Sequence, residues 1–317
     1  MTRITLTLFR FELVVSILVC VATSVAAVVF ARQLIAATPT PDCLALTSGG
    51  PIFGGDTARC PSLAGFQSVN ALAGPLLAAM GLLPFAAAGL VGSQLVATEL
   101  DRETAALAWS LAPSRRRWLL DRILPPLVVL IIGFALVATT SAYLESARSP
   151  AIDLSRNFND FGLWGPGLLS RGFVAFAVGL LAGSVTGRVL PSLIVTVGVG
   201  ALLFVALPTA VAVGVKLDAL VSTETPGNEY PLHVIGGWRN ASGVVLTDED
   251  ARKLVPPEVN GAGAAEDWLS QRFTAVGLGV RGGRLPEILA RESGVLIAGG
   301  LILIVLTGSV LDRRRPR

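Results

Sequence analysis

The residues best suited to chemistry lie in a polar segment, 98–122, that separates two long apolar runs. Acidic residues open this segment, a mostly apolar stretch follows, and Pro113 comes just before three arginines. Acids at the start and bases after the end favour a short helix, because they complement the helix dipole, and proline stops it. A mostly apolar helix outside a bilayer suits docking into a groove on another protein. We therefore predict a docking helix over 98–112, with Trp109 as its protruding side chain.

The docking interpretation divides the side chains of this segment into a binding face, a rim and an anchor. The face comprises Leu107, Trp109 and Leu111, and the charged rim comprises Glu99, Arg102 and Glu103. The membrane-face anchor comprises Arg115, Arg116, Arg117 and Trp118, which suit the boundary between lipid and water. The alternative is a helix that lies on lipid headgroups and binds no protein.

The stretch 89–122 reads GLVGSQLVATELDRETAALAWSLAPSRRRWLLDR. It resembles the second span and cytoplasmic loop of ABC-2-type transporter permeases, most closely the branch common in actinobacteria. The resemblance rests on the acidic Glu99, the step Glu103-Thr104, the Leu-Ala-Trp at 107–109 and the Ser-Arg-x-Arg-Trp at 114–118. Glu103 departs from many relatives, which carry glycine before the threonine.

This resemblance implies that 98–112 is the coupling helix of an ABC exporter and meets a separate ATPase subunit. That subunit would bind ATP and Mg, whereas this chain would hold no cofactor. The resemblance also implies six spans and a substrate pathway shared with a second permease copy or a homologous permease. Spans that rock between inward-open and outward-open states would move the substrate.

The composition indicates a polytopic membrane protein. Of 317 residues, 52% are hydrophobic and only 15% are charged, and the mean hydropathy is +0.68, outside the usual range of soluble proteins. The net charge of +3 and the lack of an aromatic-interleaved basic run argue against nucleic-acid binding. No phosphate-binding Gly-x-x-x-x-Gly-Lys motif and no zinc motif occurs, and His233 is the lone histidine. We expect neither an enzyme nor a metal site.

Apolar runs predict an all-α integral membrane protein with six transmembrane helices, a cytoplasmic coupling helix and a small extracellular domain. The predicted spans are 13–31, 71–97, 123–143, 167–186, 189–215 and 293–311. By domain, we predict an interfacial amphipathic segment at 1–12, five helices within 13–215, the extracellular domain at 216–292, and the sixth helix with a cytoplasmic tail at 293–317. Short helices are expected in that domain after Thr247, in AEDWLSQRF and in LPEILARE.

The distribution of arginine predicts the orientation. The short segments assigned to the inner side carry more arginines than the two short outer loops, which favours a bacterial plasma-membrane protein with both termini in the cytoplasm. A cleaved signal peptide is the competing interpretation of the amino-terminal run, but that run is too long and lacks a convincing cleavage site.

Two further sets of residues are candidates for structure or transport. Cys43 and Cys60 share one exported loop, which predicts a disulfide, with two unpaired thiols as the alternative. The polar residues that could line a substrate pathway are Ser93, Gln94, Thr139, Thr140 and Arg171. Arg171 lies near the outer end of its span, where it could instead extend its charge to the interface.

Three classes of function are compatible with this pattern: the permease of an ATP-driven exporter, a membrane-anchored sensory or assembly protein, and a secondary transporter. The resemblance favours the first. The predicted 216–292 domain is the basis of the second. The third is disfavoured because no span carries Asp, Glu, Lys or His near its middle, where proton-coupled transporters usually place one.

Overall fold

The computed structural model describes residues 10–40, 43, 60–102, 104, 109, 114–214, 232–257, 259 and 262–314. In chain order its main elements are α1 (Arg10–Ala36), α2 (Pro61–Asp101), α3 (Arg115–Arg148), α4 (Gly167–Thr186), α5 (Val189–Gly214), β1 (Leu232–Arg239), β2 (Val245–Thr247), α6 (Asp248–Lys253), α7 (Ala262–Ser270), β3 (Thr274–Val280) and α8 (Leu285–Arg313). Within these described ranges, six helices are long and apolar enough to cross a membrane, as predicted: α1 to α5 and α8.

Four of the spanning helices extend well beyond the predicted apolar runs. The first, α1, already includes residues 10–12 of the predicted interfacial segment, whose first nine residues lie outside the described part. The second, α2, begins at Pro61 and ends at Asp101, so residues 98–101 continue a spanning helix instead of opening a separate one. The stretch LPEILARE is likewise the first part of α8 and not a separate short helix. Helical hydrogen bonding continues past the bilayer until a cap or a proline ends it.

The chain divides into two compact units. A helical unit comprises Met1–Pro150, Gly162–Pro208 and Leu289–Arg317, and a second unit comprises Ala151–Phe161 and Thr209–Ile288. The second unit therefore includes residues Ala151–Phe161, which lie between the predicted spans 123–143 and 167–186 and were not predicted to belong with 216–292. The helical unit has two ends: the Arg115 end, where α2 and α8 end and α3 begins, and the Arg171 end, where α4 begins.

Within the helical unit, α1 packs on α3 and α2 packs on α4. The α2–α4 contact is close because glycines face backbone: a Cβ built on Gly179 would lie 2.6 Å from the carbonyl oxygen of Gly89. A Cβ on Gly183 would lie 2.5 Å from the carbonyl oxygen of Ser93. Small residues at such crossings let helix backbones approach in membranes, where dispersion rather than water exclusion holds helices together.

The remaining spanning helices pack on this pair. The rings of Phe85 in α2 and Phe204 in α5 meet edge to face with centroids 5.9 Å apart. A Cβ built on Gly300 of α8 would lie 2.6 Å from Cε1 of the Phe173 ring in α4. The ring therefore packs directly against this glycine. Large apolar side chains stay exposed on α5, including Leu190 and Val197, as expected for a helix that contacts lipid.

The second unit contains an antiparallel three-stranded sheet in the order β2-β1-β3. The all-α prediction is therefore wrong for this unit. Asn240 closes the β1–β2 hairpin: its side-chain oxygen accepts a hydrogen bond from the Val244 amide at 2.8 Å, and Gly243 has a φ of +83° that favours glycine. The sheet was missed because glycines interrupt both LHVIGGWR and TAVGLGV, which weakens the strand pattern.

Short helices accompany the sheet, as expected after Thr247 and in AEDWLSQRF. Thr247 is the N-cap of α6, and its hydroxyl oxygen accepts a hydrogen bond from the Asp250 amide. Hydrogen bonds from Lys253, and then from Thr247, lower the pKa of the Asp250 carboxyl. In the sheet, Trp238 donates its indole N–H to the carboxylate of Asp248 at 2.7 Å, which joins β1 to the start of α6.

Candidate functional site

At the Arg115 end, an ion pair between Glu99 and Arg122 ties α2 to α3. Glu99 pairs with Arg122, and each side chain is only 12% exposed. The hydroxyl of Thr104 donates to the other carboxylate oxygen of Glu99 at 2.8 Å. Glu99 was expected in a charged rim toward a partner, but both of its carboxylate oxygens bind residues of this chain. It therefore joins the last turn of α2 to Thr104 within the 98–112 segment and to Arg122 of α3.

Trp109 is half-buried against two residues near the start of α3. The guanidinium carbon of Arg115 lies 4.4 Å from the centroid of the Trp109 ring, within the range of a cation–π interaction. The Trp118 ring meets it edge to face, with centroids 6.2 Å apart. The indole nitrogen of Trp109 is buried and has no hydrogen-bond partner within the described ranges. The Trp109 side chain, which was predicted to bind a partner, is therefore partly covered by Arg115 and Trp118 of its own chain.

The other predicted docking residues divide into two groups. Arg102 is exposed at the end of α2. Glu103, Leu107 and Leu111 lie outside the described residues, as does most of the predicted coupling helix.

The four predicted anchor residues have different surroundings. Trp118 is only 2% exposed, whereas Arg117 is exposed and donates its backbone amide to the Ser114 hydroxyl, which caps α3. Arg116 forms an ion pair with Asp312 at 3.0 Å, although its side chain is 74% exposed. Arg115 donates from Nη1 to three carbonyl oxygens at the end of α8, those of Leu311, Asp312 and Arg314, at 2.7, 3.1 and 2.8 Å.

The structure does not bring the five predicted pathway residues together. Ser93 is fully buried in the α2–α4 contact, and Gln94 beside it is half-buried. Thr140 donates to the Ser24 hydroxyl of α1 at 3.1 Å, whereas Thr139 lies on an exposed face of α3. Arg171 is at the opposite end of the helical unit from Ser93.

Arg171 is buried, with 1% of its side chain exposed, and does not extend to an interface. It donates from Nε and Nη2 to one carboxylate oxygen of Glu292 at 2.8 and 2.6 Å, and from Nη1 to the carbonyl oxygen of Gly162 at 2.6 Å. Next to this pair, the Ser170 hydroxyl donates to that of Ser293 at 3.3 Å. The Arg171 end thus joins α4 to α8. Sequence reasoning singled out Arg171 but missed Glu292, its partner 121 residues away.

A second buried charge cluster was not predicted at all. Glu145 is fully buried and accepts hydrogen bonds from Arg148 and from the Ser149 hydroxyl, both at 3.0 Å. Arg148 also donates to the side-chain oxygen of Asn70 in α2 at 2.8 Å. The available signal was the Glu-x-x-Arg spacing at the end of α3, which puts both side chains on one helix face.

Cys43 and Cys60 form a disulfide. Cys60 directly precedes α2, so this bond ties the residues before the helix to its first turn. Within the described ranges, the His, Cys, Asp and Glu side chains form no group of three that could hold a metal ion.

Comparison with known proteins identifies the class. The model of the family described as ABC-2 membrane transporter related matches residues 13–212, which is more than half of the chain. The chain therefore belongs to this family, and the resemblance seen at 89–122 is confirmed. The match spans α1 to α5 and ends before β1. No curated protein and no solved structure matches the chain.

Proposed function

We propose that the chain is the permease subunit of an ATP-driven exporter, docked through residues 98–112 onto a separate ATPase that binds ATP and Mg. The family match over 13–212 is the observation that carries the proposal, since this family suggests a permease of an ABC transporter. The cluster around Trp109 supports the docking position, because it lies between α2 and α3 at one end of the helical unit.

The mechanism we propose is alternating access. Closure of two ATPases on ATP would displace the 98–112 segments of two permease subunits, either two copies of this chain or this chain with a homologous one. Because Glu99 binds both Thr104 and Arg122, a displaced segment would pull on α2 and α3 together. The spans would then rock as rigid groups and open the pathway to the other side.

The charged residues of the spans support an ATP-driven rather than a proton-driven mechanism. Arg171, Glu292, Glu145 and Arg148 all lie within two turns of a helix end and bind one another or nearby polar groups. A proton-coupled transporter needs an ionisable group near the midplane that can exchange its proton.

Affinity purification of the tagged chain from its native membranes, in mild detergent, tests the proposal. A protein with a phosphate-binding Gly-x-x-x-x-Gly-Lys motif should co-purify in near-equal amount, and the complex should hydrolyse ATP in the presence of Mg. A matched preparation of an unrelated six-span protein controls for unspecific capture. Recovery of the chain without an ATPase, under conditions that preserve other ABC complexes, would contradict the proposal.

A further inference from the structure

Arg115 contacts two parts of the helical unit that are far apart in sequence. The guanidinium carbon of Arg115 lies over the Trp109 ring, 4.4 Å from its centroid. The edge of the same group donates through Nη1 to the three carbonyl oxygens at the end of α8. One side chain therefore bridges the proposed docking segment and the last spanning helix.

Both contacts use properties that are specific to arginine. The last carbonyl groups of a helix have no partner within the helix and carry a negative partial charge, so a cation is favourable there. A planar guanidinium can stack on an aromatic ring and donate from its edge at the same time, whereas the ammonium of lysine is a point charge. The side chain of Arg115 is half-buried, which reduces competition from water.

The contact continues from α8 to α4 through Arg314. Its carbonyl oxygen accepts from Arg115 at 2.8 Å, and its own guanidinium donates to the carbonyl oxygen of Val185, in the last turn of α4, at 2.8 Å. Gly187 ends α4 with a φ of +64°, and a Cβ at this glycine would clash with the Arg314 guanidinium. Arg314 thus connects the end of α8 to the end of α4.

Movement at these helix ends would pass into the rest of the helical unit. The helices α4 and α8 also meet near the start of α4, through Phe173 and Gly300 and through the buried Arg171–Glu292 pair, so they are joined near both ends of α4. In addition, α4 packs backbone to backbone on α2 through Gly179 and Gly183. We expect helices joined near both ends to shift together, as in rigid-body transitions.

We propose that Arg115 is a positioning residue that transmits displacement of the 98–112 segment, through Trp109, to the ends of α8 and α4. This inference rests on the proposed function, because it needs an ATPase to displace that segment. It distinguishes Arg115 from the adjacent Arg116, whose side chain is exposed. Within the described ranges, that side chain pairs only with Asp312.

The test uses the full complex of the chain with its ATPase and a fluorine reporter at the end of α8. Arg313→Cys supplies a thiol on an exposed residue for a trifluoromethyl tag. Cys20 is buried and Cys43 is bonded to Cys60, so the introduced thiol reacts selectively. The fluorine resonance is recorded with and without Mg-ATP, alongside ATPase binding and the permease-dependent rate of ATP hydrolysis.

In the parent chain and in Arg116→Ala, Mg-ATP should shift the fluorine resonance. In Arg115→Ala the ATPase should bind as in the parent, while the resonance shift and the permease-dependent hydrolysis fall by about fivefold or more, the lower range of coupling between sites. Arg115→Lys should fall between the two, and it provides the test if Arg115→Ala fails to insert.

Two results would overturn the inference while leaving the proposed function intact. One is a parent-like resonance shift and hydrolysis rate in Arg115→Ala. The other is loss of ATPase binding in proportion to the loss of hydrolysis, which would make Arg115 a docking residue. If the parent chain binds no ATPase at all, the proposed function fails and this inference fails with it.

Discussion

At the scale of single residues, the buried pair Arg171–Glu292 has the largest energetic consequence. Both side chains are almost completely removed from solvent, at 1% and 4% exposed. Desolvation makes such a pair costly to form, so it contributes little net stability. Removal of Glu292 has a larger effect, because it takes away the carboxylate that binds two nitrogens of Arg171 while the guanidinium stays buried.

We therefore expect Glu292→Ala to destabilise the chain by about 3–5 kcal/mol, the range for a broken buried pair. Replacing both residues by methionine should recover most of that loss, since no charge then stays buried. The exposed pair Arg284–Glu287 is the control, and Glu287→Ala there should cost only about 0–1 kcal/mol. Unfolding by denaturant in detergent measures all three. Equal losses at the two pairs would contradict this account.

Single residues also show where sequence reasoning stops. The residue types at 98–122 predicted a special segment, and Arg171 was recognised as unusual. Their partners were not predictable, because the Arg171–Glu292 and Arg115–Leu311 contacts join residues more than a hundred positions apart. Such contacts depend on which helices are neighbours, and apolar runs alone do not encode that arrangement.

At the scale of elements, the α2–α4 contact depends on glycines that face backbone. We expect Gly179→Ala to destabilise the chain by about 1–3 kcal/mol, as for overpacked sites, because the new Cβ would lie 2.6 Å from a carbonyl oxygen that has little freedom to move. Gly198→Ala in α5 is the matched control, since no atom lies within 4 Å of its Cβ position. Thermal unfolding in detergent compares the two, and a similar loss in Gly198→Ala would refute the packing explanation.

The cap of α6 gives a second prediction at this scale. Thr247→Ala should cost about 1 kcal/mol of local stability, because it removes the acceptor for the Asp250 amide. Hydrogen exchange of the α6 amides in the intact protein should show faster exchange. Ser242→Ala, which alters only a turn hydrogen bond to Asn240, should leave α6 unchanged.

The same helix should respond to pH in a defined direction. Because the pKa of Asp250 is lowered in the folded chain, its contribution to stability is complete above the unfolded value of about 3.9 and is lost as the pH falls through the folded value. Exchange of the α6 amides, corrected for intrinsic rates, should therefore rise below about pH 4 in the parent. It should rise less in Asp250→Asn, and equal acid sensitivity in both would contradict the assignment.

Elements differ in how well the sequence predicts them. Length and hydropathy predicted all six spanning helices, because crossing a bilayer needs about 20 apolar residues. Thr247 predicted the start of α6, because capping is local chemistry. The sheet was missed, because β1 pairs with a strand that begins 35 residues after β1 ends (274 − 239) and neither strand alternates clearly.

At the scale of the whole molecule, the orientation in the membrane is still a prediction. We expect both termini in the cytoplasm and the second unit outside, because arginine is concentrated in the short segments on one side. Single introduced cysteines test this, with Glu249→Cys at a residue whose side chain is 84% exposed in α6 and Arg313→Cys at the end of α8. A membrane-impermeant maleimide on intact cells should label the first thiol, and the second only after permeabilisation. The reverse pattern would contradict the orientation.

The proposed function requires the 98–112 segment to bind an ATPase, and the substitution Trp109→Ala tests this binding. Binding energy at interfaces concentrates in a few aromatic or arginine side chains, and truncation of one can cost about 2 kcal/mol or more. Trp268 is a close control in the second unit: Arg272 stacks on it at 4.3 Å, and the Phe273 ring lies 6.4 Å away. Its surroundings match those of Trp109, which has Arg115 at 4.4 Å and Trp118 at 6.2 Å.

The deciding measurement is the amount of ATPase that co-purifies with each variant, normalised to permease inserted in the membrane. We predict that Trp109→Ala lowers this amount by about 25-fold or more, the equivalent of about 2 kcal/mol, whereas Trp268→Ala leaves it unchanged. Trp109→Phe should retain most binding, because it keeps the aromatic ring and removes only an indole N–H that has no partner in the described structure. Undiminished ATPase binding by Trp109→Ala would contradict the coupling role and favour a helix that lies on lipid.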